Sequence, residues 1–516
     1  MTDSRVASAP HQVRETHQPD GPLLRLLGPR RPAHGTAAGP YTIRSGQVLR
    51  LLTRQLFGYP GSRPALSAPD PVPDAATAVP TVDNGGLSPD RRTYRLHIRQ
   101  DLLWDAQQAR QLVSGDFIRG FKRIAFPTAA RGRHYLTDTI EGMAEYCAAF
   151  QAAFGEQAPT APDLAQFQRA HPVAGLSAVD SQTLEIRLRG PASDFLHILA
   201  TGFAAAAPRE YDYYVPDSHE LYRNATSAGP YRALRRRSLG HDLVLEPNPR
   251  WQPDSDPIRA RTAGLIEICA DGGTEPPGAA SPFAPASAVP GEPAQRGPNF
   301  LTCLVFNPDA TGSVRSAVVR RAVAVAIERG QLAAAAAQVP GATARPLYGL
   351  VTPGSPGYRE ESAAGDPALA RRLLADAGYR DGVRLSLRGT DTATAAGPVV
   401  DALSASLARA GIWLVPARRP DAWDLRLLDW TPDWYGDNGR AVAGALLRKA
   451  GGRYDSGVDR LVEAALAEPD PARTDQMWRE VDLAVRREAP VIALSATECR
   501  CCVPMQDAGP EVHWLR

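Results

Sequence analysis

Lysine is almost missing from this 516-residue chain: among 58 basic residues only Lys122 and Lys449 are lysines, a usage that fits a GC-rich genome and carries no functional signal. Charge excess is missing too, since 58 basic against 56 acidic residues leave a net charge of +2, spread along the whole chain. No basic stripe or acidic tail results, and nucleic acid is not an expected partner. No window supplies the ~18 uninterrupted apolar residues of a membrane span. The opening residues, MTDSRVASAPHQVRETHQPD, lack the apolar core of a secretory signal, so residues 1–21 are expected to be a disordered polar tail. Six cysteines occur, Cys147, Cys269, Cys303, Cys499, Cys501 and Cys502, without a repeated spacing. The crowded C-R-C-C at the end has no further ligand at a zinc-like distance in sequence, so no metal is expected.

Local catalytic signatures are absent as well. There is no G-x-S-x-G elbow, phosphate loop, G-x-G-x-x-G after a strand, or H-E-x-x-H pair. The ten histidines are scattered singly and read as surface or satisfied structural residues. No catalytic residue and no cofactor is expected, although sites assembled from distant residues escape such a test.

What is present is enough apolar material, 43% of 55.3 kDa, for two or three domains with real cores. Val48, Leu49, Leu52, Leu56 and Phe57 recur at helical spacing, and residues 92–99 alternate with Tyr94, Leu96 and Ile98 as the buried set of a strand. After a loop carrying Trp104, Ser114-Gly-Asp116 can cap a helix through Ile124, and residues 136–170 read as helical around Phe150, Phe154 and Phe167. A strand over 183–188 and a helix over 194–199 follow. Residues 271–298 are too rich in Pro, Gly and Ala for either regular state and read as a linker. Beyond it, a strand (301–306), a helix over 314–331, a helix over 367–377 closed by Gly378, a strand (384–388), a helix (399–410) and strands at 413–415 and 425–428 make an α/β pattern. Helices at 456–467 and 471–488 and a strand at 491–494 finish the chain.

Residues 423–438, WDLRLLDWTPDWYGDN, are the most informative stretch. A half-buried strand through Leu425, Leu427 and Leu428 must end at Pro432. The following loop packs Trp430, Trp434 and Tyr435 around Asp433 and Asp437, and wide apolar faces with isolated carboxylates suit a grip on a small amphipathic molecule. The same aromatics can equally shape a structural turn.

Several separated segments together resemble the extracellular solute-binding proteins of family 5, the peptide- and nickel-binding components of ABC importers. They are TYRLHIRQDLLW (93–104) with VSGDFIRGFKRI (113–124), SAGPYRAL (227–234) with EPNPRW (246–251), LVFNPDA (304–310) with VRRAVAVAIERG (319–330), DPALARRLLADAGYRDG (366–382) and DLRLLDWTPDW (424–434). Their order holds from about residue 22 to the end, and the likeness is closest to actinobacterial members. The resemblance implies an α/β, two-lobed periplasmic-binding-protein-like fold of type II with three discontinuous domains. Residues 22–302 would form the first lobe with an inserted subdomain at about 41–183, 303–484 the second lobe, and 485–516 a return to the first. It also implies that Asp433 meets a peptide's amino group while Trp434, Tyr435 and Trp104 supply apolar walls. The expected partners are a small peptide or amphipathic molecule and an ABC permease, with the chain a monomer at the cell surface or outside the cell. If the polar N-terminus is the true one, the alternative is a cytoplasmic protein of the same fold, used as a small-molecule binder or as an enzyme in a biosynthetic pathway.

Overall fold

A computed structural model describes residues 23–28, 50–59, 70–106, 109–126, 132–155, 159–216, 218, 220–221, 224–234, 243–259, 261, 264–270, 300–338, 342–388, 396–419, 422–430, 434, 446–447 and 456–499. Two bodies emerge, each with its own core. In the first, Leu23–Gly28 lies parallel to Leu265–Ala270, which pairs antiparallel with Leu243–Pro247, itself paired with Tyr231–Ala233. A three-stranded antiparallel sheet adds Thr93–His97, Thr183–Arg187 and Leu176–Ala178. Tyr94, Leu96 and Ile98 are buried while Arg95 and His97 face solvent, as the alternation predicts.

The expected helix over 136–170 is three helices, Arg133–Thr139, Met143–Phe154 and Ala161–Ala170. Gly142 makes the first break: its φ is +78°, and a Cβ there would meet the Ala174 nitrogen at 2.7 Å. The third helix starts at a capping box in which the Thr160 and Asp163 side chains take each other's backbone N–H. Asp116, expected as part of a cap, sits one turn inside helix Ser114–Lys122 and reaches back to accept from the Val113 nitrogen at 3.1 Å.

Of the helix expected over 48–57, residues 50–52 are helical, 48 and 49 lie outside the described residues, and the spacing misleads beyond 52. Residues 53–55 are not helical and Phe57–Gly58 is a short strand paired with Val72–Pro73, because Arg54 and Gln55 are drawn into a buried polar network. The 50–59 segment runs through the lobe's middle. Gly229 of the G-P-Y turn lies against it so closely that a Cβ would stand 2.3 Å from the Leu51 carbonyl oxygen.

The second body is built on a six-stranded sheet in the order Ala342–Pro346, Val491–Cys499, Phe300–Phe306, Leu425–Trp430, Val383–Arg388, Ile412–Pro416, antiparallel up to Leu425–Trp430 and parallel beyond. Its central strand alternates between two cores. Leu304 and Phe306 pack under helices Ala317–Ala326, Arg329–Ala336 and Pro367–Asp376 and the helix spanning Ala396–Ala408, whereas Leu301, Cys303 and Val305 pack under the helix spanning Ser456–Ala467 and helix Pro471–Glu488. Both faces are therefore covered, as a sheet with parallel strands requires.

Two expectations change here. The helix over 314–331 is broken at Ile327, whose ψ of 124° is extended. The break is held from outside: the Ser406 hydroxyl accepts from the Glu328 nitrogen at 2.7 Å and donates to the Ala326 carbonyl at 2.9 Å, serving both helix ends. The chain does not leave the second body at 485, since Val491–Cys499 is held between Phe300–Phe306 and Ala342–Pro346. The linker at 271–298 lies outside the described residues, as does the tail 1–21.

Candidate functional site

The strand Leu425–Trp430 is placed by its neighbours before any loop begins. Asn307 accepts the role of clamp: its side-chain NH2 donates to the Trp423 carbonyl at 2.7 Å and its backbone nitrogen to the Asp424 carbonyl at 2.9 Å. Asp424 in turn accepts from the backbone nitrogen and hydroxyl of Ser386 at 2.8 and 2.7 Å. Further along, Thr302 donates to Asp429 at 3.0 Å. Trp430 ends the strand buried in the second body, beside Leu301, Leu446, Leu447 and Trp478.

Four residues later the chain is in the other body. Trp434 is buried within the first core, stacked on His197 (ring centroids 5.9 Å apart, planes 17° from parallel) and tilted against Tyr135 at 5.2 Å. His197, on helix Phe195–Ala200, shares a 2.6 Å hydrogen bond between its Nδ1 and the Tyr59 hydroxyl. Burial pushes the imidazole below its usual pKa, outweighing the opposing pull of Asp194 and Asp70, and favours the neutral ring that an aromatic stack accommodates. A second contact joins the bodies where the Ser193 nitrogen donates to the Leu466 carbonyl at 2.7 Å. Trp430, at the end of the strand, thus lies in the core of the second body and Trp434, four residues on, in that of the first.

The segment that carries Tyr59 is held at Arg50, Arg54 and Gln55 by a wholly buried ionic network. Arg54 Nε donates to Asp74 at 2.5 Å, Arg259 donates to Asp74 at 2.8 Å and to both Asp256 oxygens at 3.2 Å, and the Trp251 indole N–H donates to Asp256 at 2.9 Å. Burial alone would raise the Asp256 pKa, but Arg259 and Arg54 outweigh it and bring it down to about 2. Every charge here has an opposite partner, which is what makes burial tolerable.

Of the four residues singled out from the sequence, Trp434 lies at this seam, while Asp433 and Tyr435 lie outside the described residues. Trp104 is interior to the first body, 1% exposed. Its indole N–H donates to Asp116 at 2.9 Å, and the Arg110 guanidinium sits 5.9 Å over its ring while forking onto both Asp116 and Glu210. Tyr59, Tyr135 and His197 were not singled out, because they come from three distant segments with no shared spacing. Among the described residues no group of three or more His, Cys, Asp or Glu side chains is placed to hold a metal. Among those residues, too, no helix is long and apolar enough to cross a membrane.

Comparison with known proteins agrees with this geometry. Residues 70–265 and 275–445 match the family model described as bacterial extracellular solute-binding proteins, family 5 Middle. Among solved structures, clavulanic acid biosynthesis oligopeptide binding protein 2 superposes with a TM-score of 0.70 at 24% identity, over 94% of this chain and 92% of that one. The Escherichia coli murein tripeptide binding protein MppA gives 0.69 at 15% identity over 96% and 98% of the two chains. The ABC transporter-associated periplasmic binding protein DppA from Helicobacter pylori, in complex with the peptide STSA, gives 0.65 at 16% over 94% and 95%. Curated protein sequences contain no match. At these identities the shared property is the α/β two-lobed fold.

Proposed function

The chain belongs to the bacterial extracellular solute-binding proteins of family 5, and we propose that it captures a small peptide between its two lobes for delivery to an ABC permease, outside the cell or at its surface. The division of Trp430 and Trp434 between the two cores is the observation that carries this reading. Trp430 is rooted in one lobe and Trp434 in the other, so a ligand that contacts Trp434 at the seam couples to both lobes. Names of similar structures support the ligand class: three are described as binding an oligopeptide, a murein tripeptide and the peptide STSA. In this reading the lobes divide before Phe300, the first holding the inserted subdomain at about 41–183 and the second running from Phe300 through the strand Val491–Cys499, a division that the pairing of Phe300–Phe306 with Leu425–Trp430 and Val491–Cys499 supports.

In this reading Asp433 receives the peptide ammonium, and Trp434 and Tyr435 flank it. Trp104 supports the first-lobe wall through Asp116 and Arg110 rather than by contact. A carboxylate and an ammonium removed together from water discriminate strongly, because either left alone is destabilising. Calorimetric titration of the full chain with short peptides tests this. Binding is expected to weaken by about 2–5 kcal/mol in Asp433→Asn, and to weaken comparably when the wild-type chain is offered the N-acetylated peptide. Equal affinity for free and acetylated peptides would remove Asp433 from the site.

A further inference from the structure

The second lobe contains a cleft of its own, of about 430 Å³, walled by helix Ala317–Ala326, the end of helix Pro471–Glu488, the 348–366 segment and the start of strand Val491–Cys499. Its lining runs from Arg321 to Ala493, so no first-lobe residue contributes and the cleft is separate from the interlobe seam. The size lies in the range of small-molecule sites, ~300–1,000 Å³. Val325, Leu350, Leu369, Val485 and Val491 give it apolar walls, and Leu483, 46% exposed, continues them to the rim.

The charge in this cleft is one-sided. Arg321, Arg329, Arg486 and Arg487 line it against one carboxylate, Asp366. Asp366 is occupied in capping a helix, accepting from the Leu369 nitrogen at 2.7 Å, and Arg486 is forked onto Glu361 at 3.0 and 2.7 Å. Arg329 differs from both. It is 8% exposed, donates from Nε to the Ala493 carbonyl at 3.0 Å and from Nη1 to the Ala324 carbonyl at 3.1 Å, and its Nη2 has no hydrogen-bond partner among the described residues. Glu328, which accepts from the Gly365 nitrogen at 3.1 Å, and Glu361, held by Arg486, attract the guanidinium without hydrogen-bonding to it among the described residues. The Tyr348 ring lies 5.1 Å from the guanidinium, held there by hydrogen bonds between its hydroxyl and the backbone of Ala363 at 2.8 and 3.0 Å. Burial lowers the Arg329 pKa to about 10, which still leaves it cationic at neutral pH. Its hydrogen-bonding partners are carbonyls on one edge, with a ring face beside it, and the Nη2 edge is left for a ligand.

We propose that this second-lobe cleft binds a small monocarboxylate with an apolar tail, its carboxylate taken by the Nη2 edge of Arg329 and its tail laid along Val325, Leu369 and Val485. The guanidinium edge matches the planar carboxylate, and Arg321 and Arg487 at the mouth favour entry of an anion. The site requires both parts, a charged head and an apolar tail.

Thermal-shift and calorimetric titrations of the full chain with octanoate, and with octanol as the uncharged control, test the assignment. Octanoate is expected to raise Tm saturably and octanol to leave it unchanged. Arg329→Met and Leu369→Trp, the second filling the cleft from a partly exposed helix position, are each expected to weaken octanoate at least tenfold without changing peptide affinity. If Arg329→Met does not fold, Leu369→Trp decides alone. Equal shifts by octanoate and octanol, octanoate binding that survives Leu369→Trp, or no shift at millimolar octanoate would overturn the proposal.

Discussion

Each lobe buries arginine, and they do it in opposite ways. In the first, Arg54 and Arg259 are enclosed with Asp74 and Asp256, every charge opposed, and the network fixes the 50–59 segment that carries Tyr59. In the second, Arg329 is enclosed with two carbonyl oxygens and a tyrosine face. In the first lobe each of the two arginines faces a carboxylate within a wholly buried group, so its charge is scaffold; a cation beside a cleft with its Nη2 edge unbonded among the described residues keeps a bond in reserve. Trp430 and Trp434 divide similarly, Trp430 serving the core of its own lobe and Trp434 entering the other.

Substitution at the arginines should widen the contrast. Arg259→Met leaves Asp74 and Asp256 buried with one cation fewer and is expected to lower unfolding stability by about 3–5 kcal/mol in urea titration. Arg329→Met strands only carbonyl groups, and about 1–3 kcal/mol is expected. Equal losses would erase the distinction. Among the tryptophans, Trp430→Ala should destabilise by about 3–5 kcal/mol through the cavity it leaves. Trp434→Ala, at a seam that can part, should act mainly on peptide affinity, by about 1–3 kcal/mol, with a smaller change in unfolding.

Acid supplies a third comparison. Asp256 ionises at about 2 in the folded chain, below the usual aspartate value of about 4, so the folded state holds the carboxylate charged where the unfolded state protonates it. Its contribution, roughly 2 kcal/mol, is complete above the unfolded value and is lost as pH falls from about 4 towards 2. Urea midpoints taken across that window should fall less steeply in Asp256→Asn, which begins lower. The smallest effect belongs to the surface: Arg95 and Glu185 pair at 2.9 Å with their side chains 55% and 31% exposed, and Glu185→Gln should change stability by no more than about 0.5 kcal/mol.

Local features were the readable ones in the sequence. The strand ending before Pro432 is found as Leu425–Trp430, and the alternating residues at 94, 96 and 98 are buried as the spacing requires. The glycine of G-P-Y and the asparagine of F-N-P are explained by single contacts, to Leu51 and to Trp423. Features decided at a distance were not readable. The break at Ile327 depends on Ser406, and the loss of helix at 53–55 depends on Asp74 and Arg259, partners that periodicity within a window does not contain. The same limit hid the seam, for Trp434 was visible in an aromatic loop, whereas Tyr59, Tyr135 and His197 acquire a common role only once folding gathers them around it.

Native mass spectrometry of the protein purified gently from its own cells tests peptide capture most directly. A peptide trap predicts a one-to-one adduct of peptide mass, lost on denaturation and restored by adding the released peptide. A chain that carries no adduct and binds no member of a short-peptide library would contradict it.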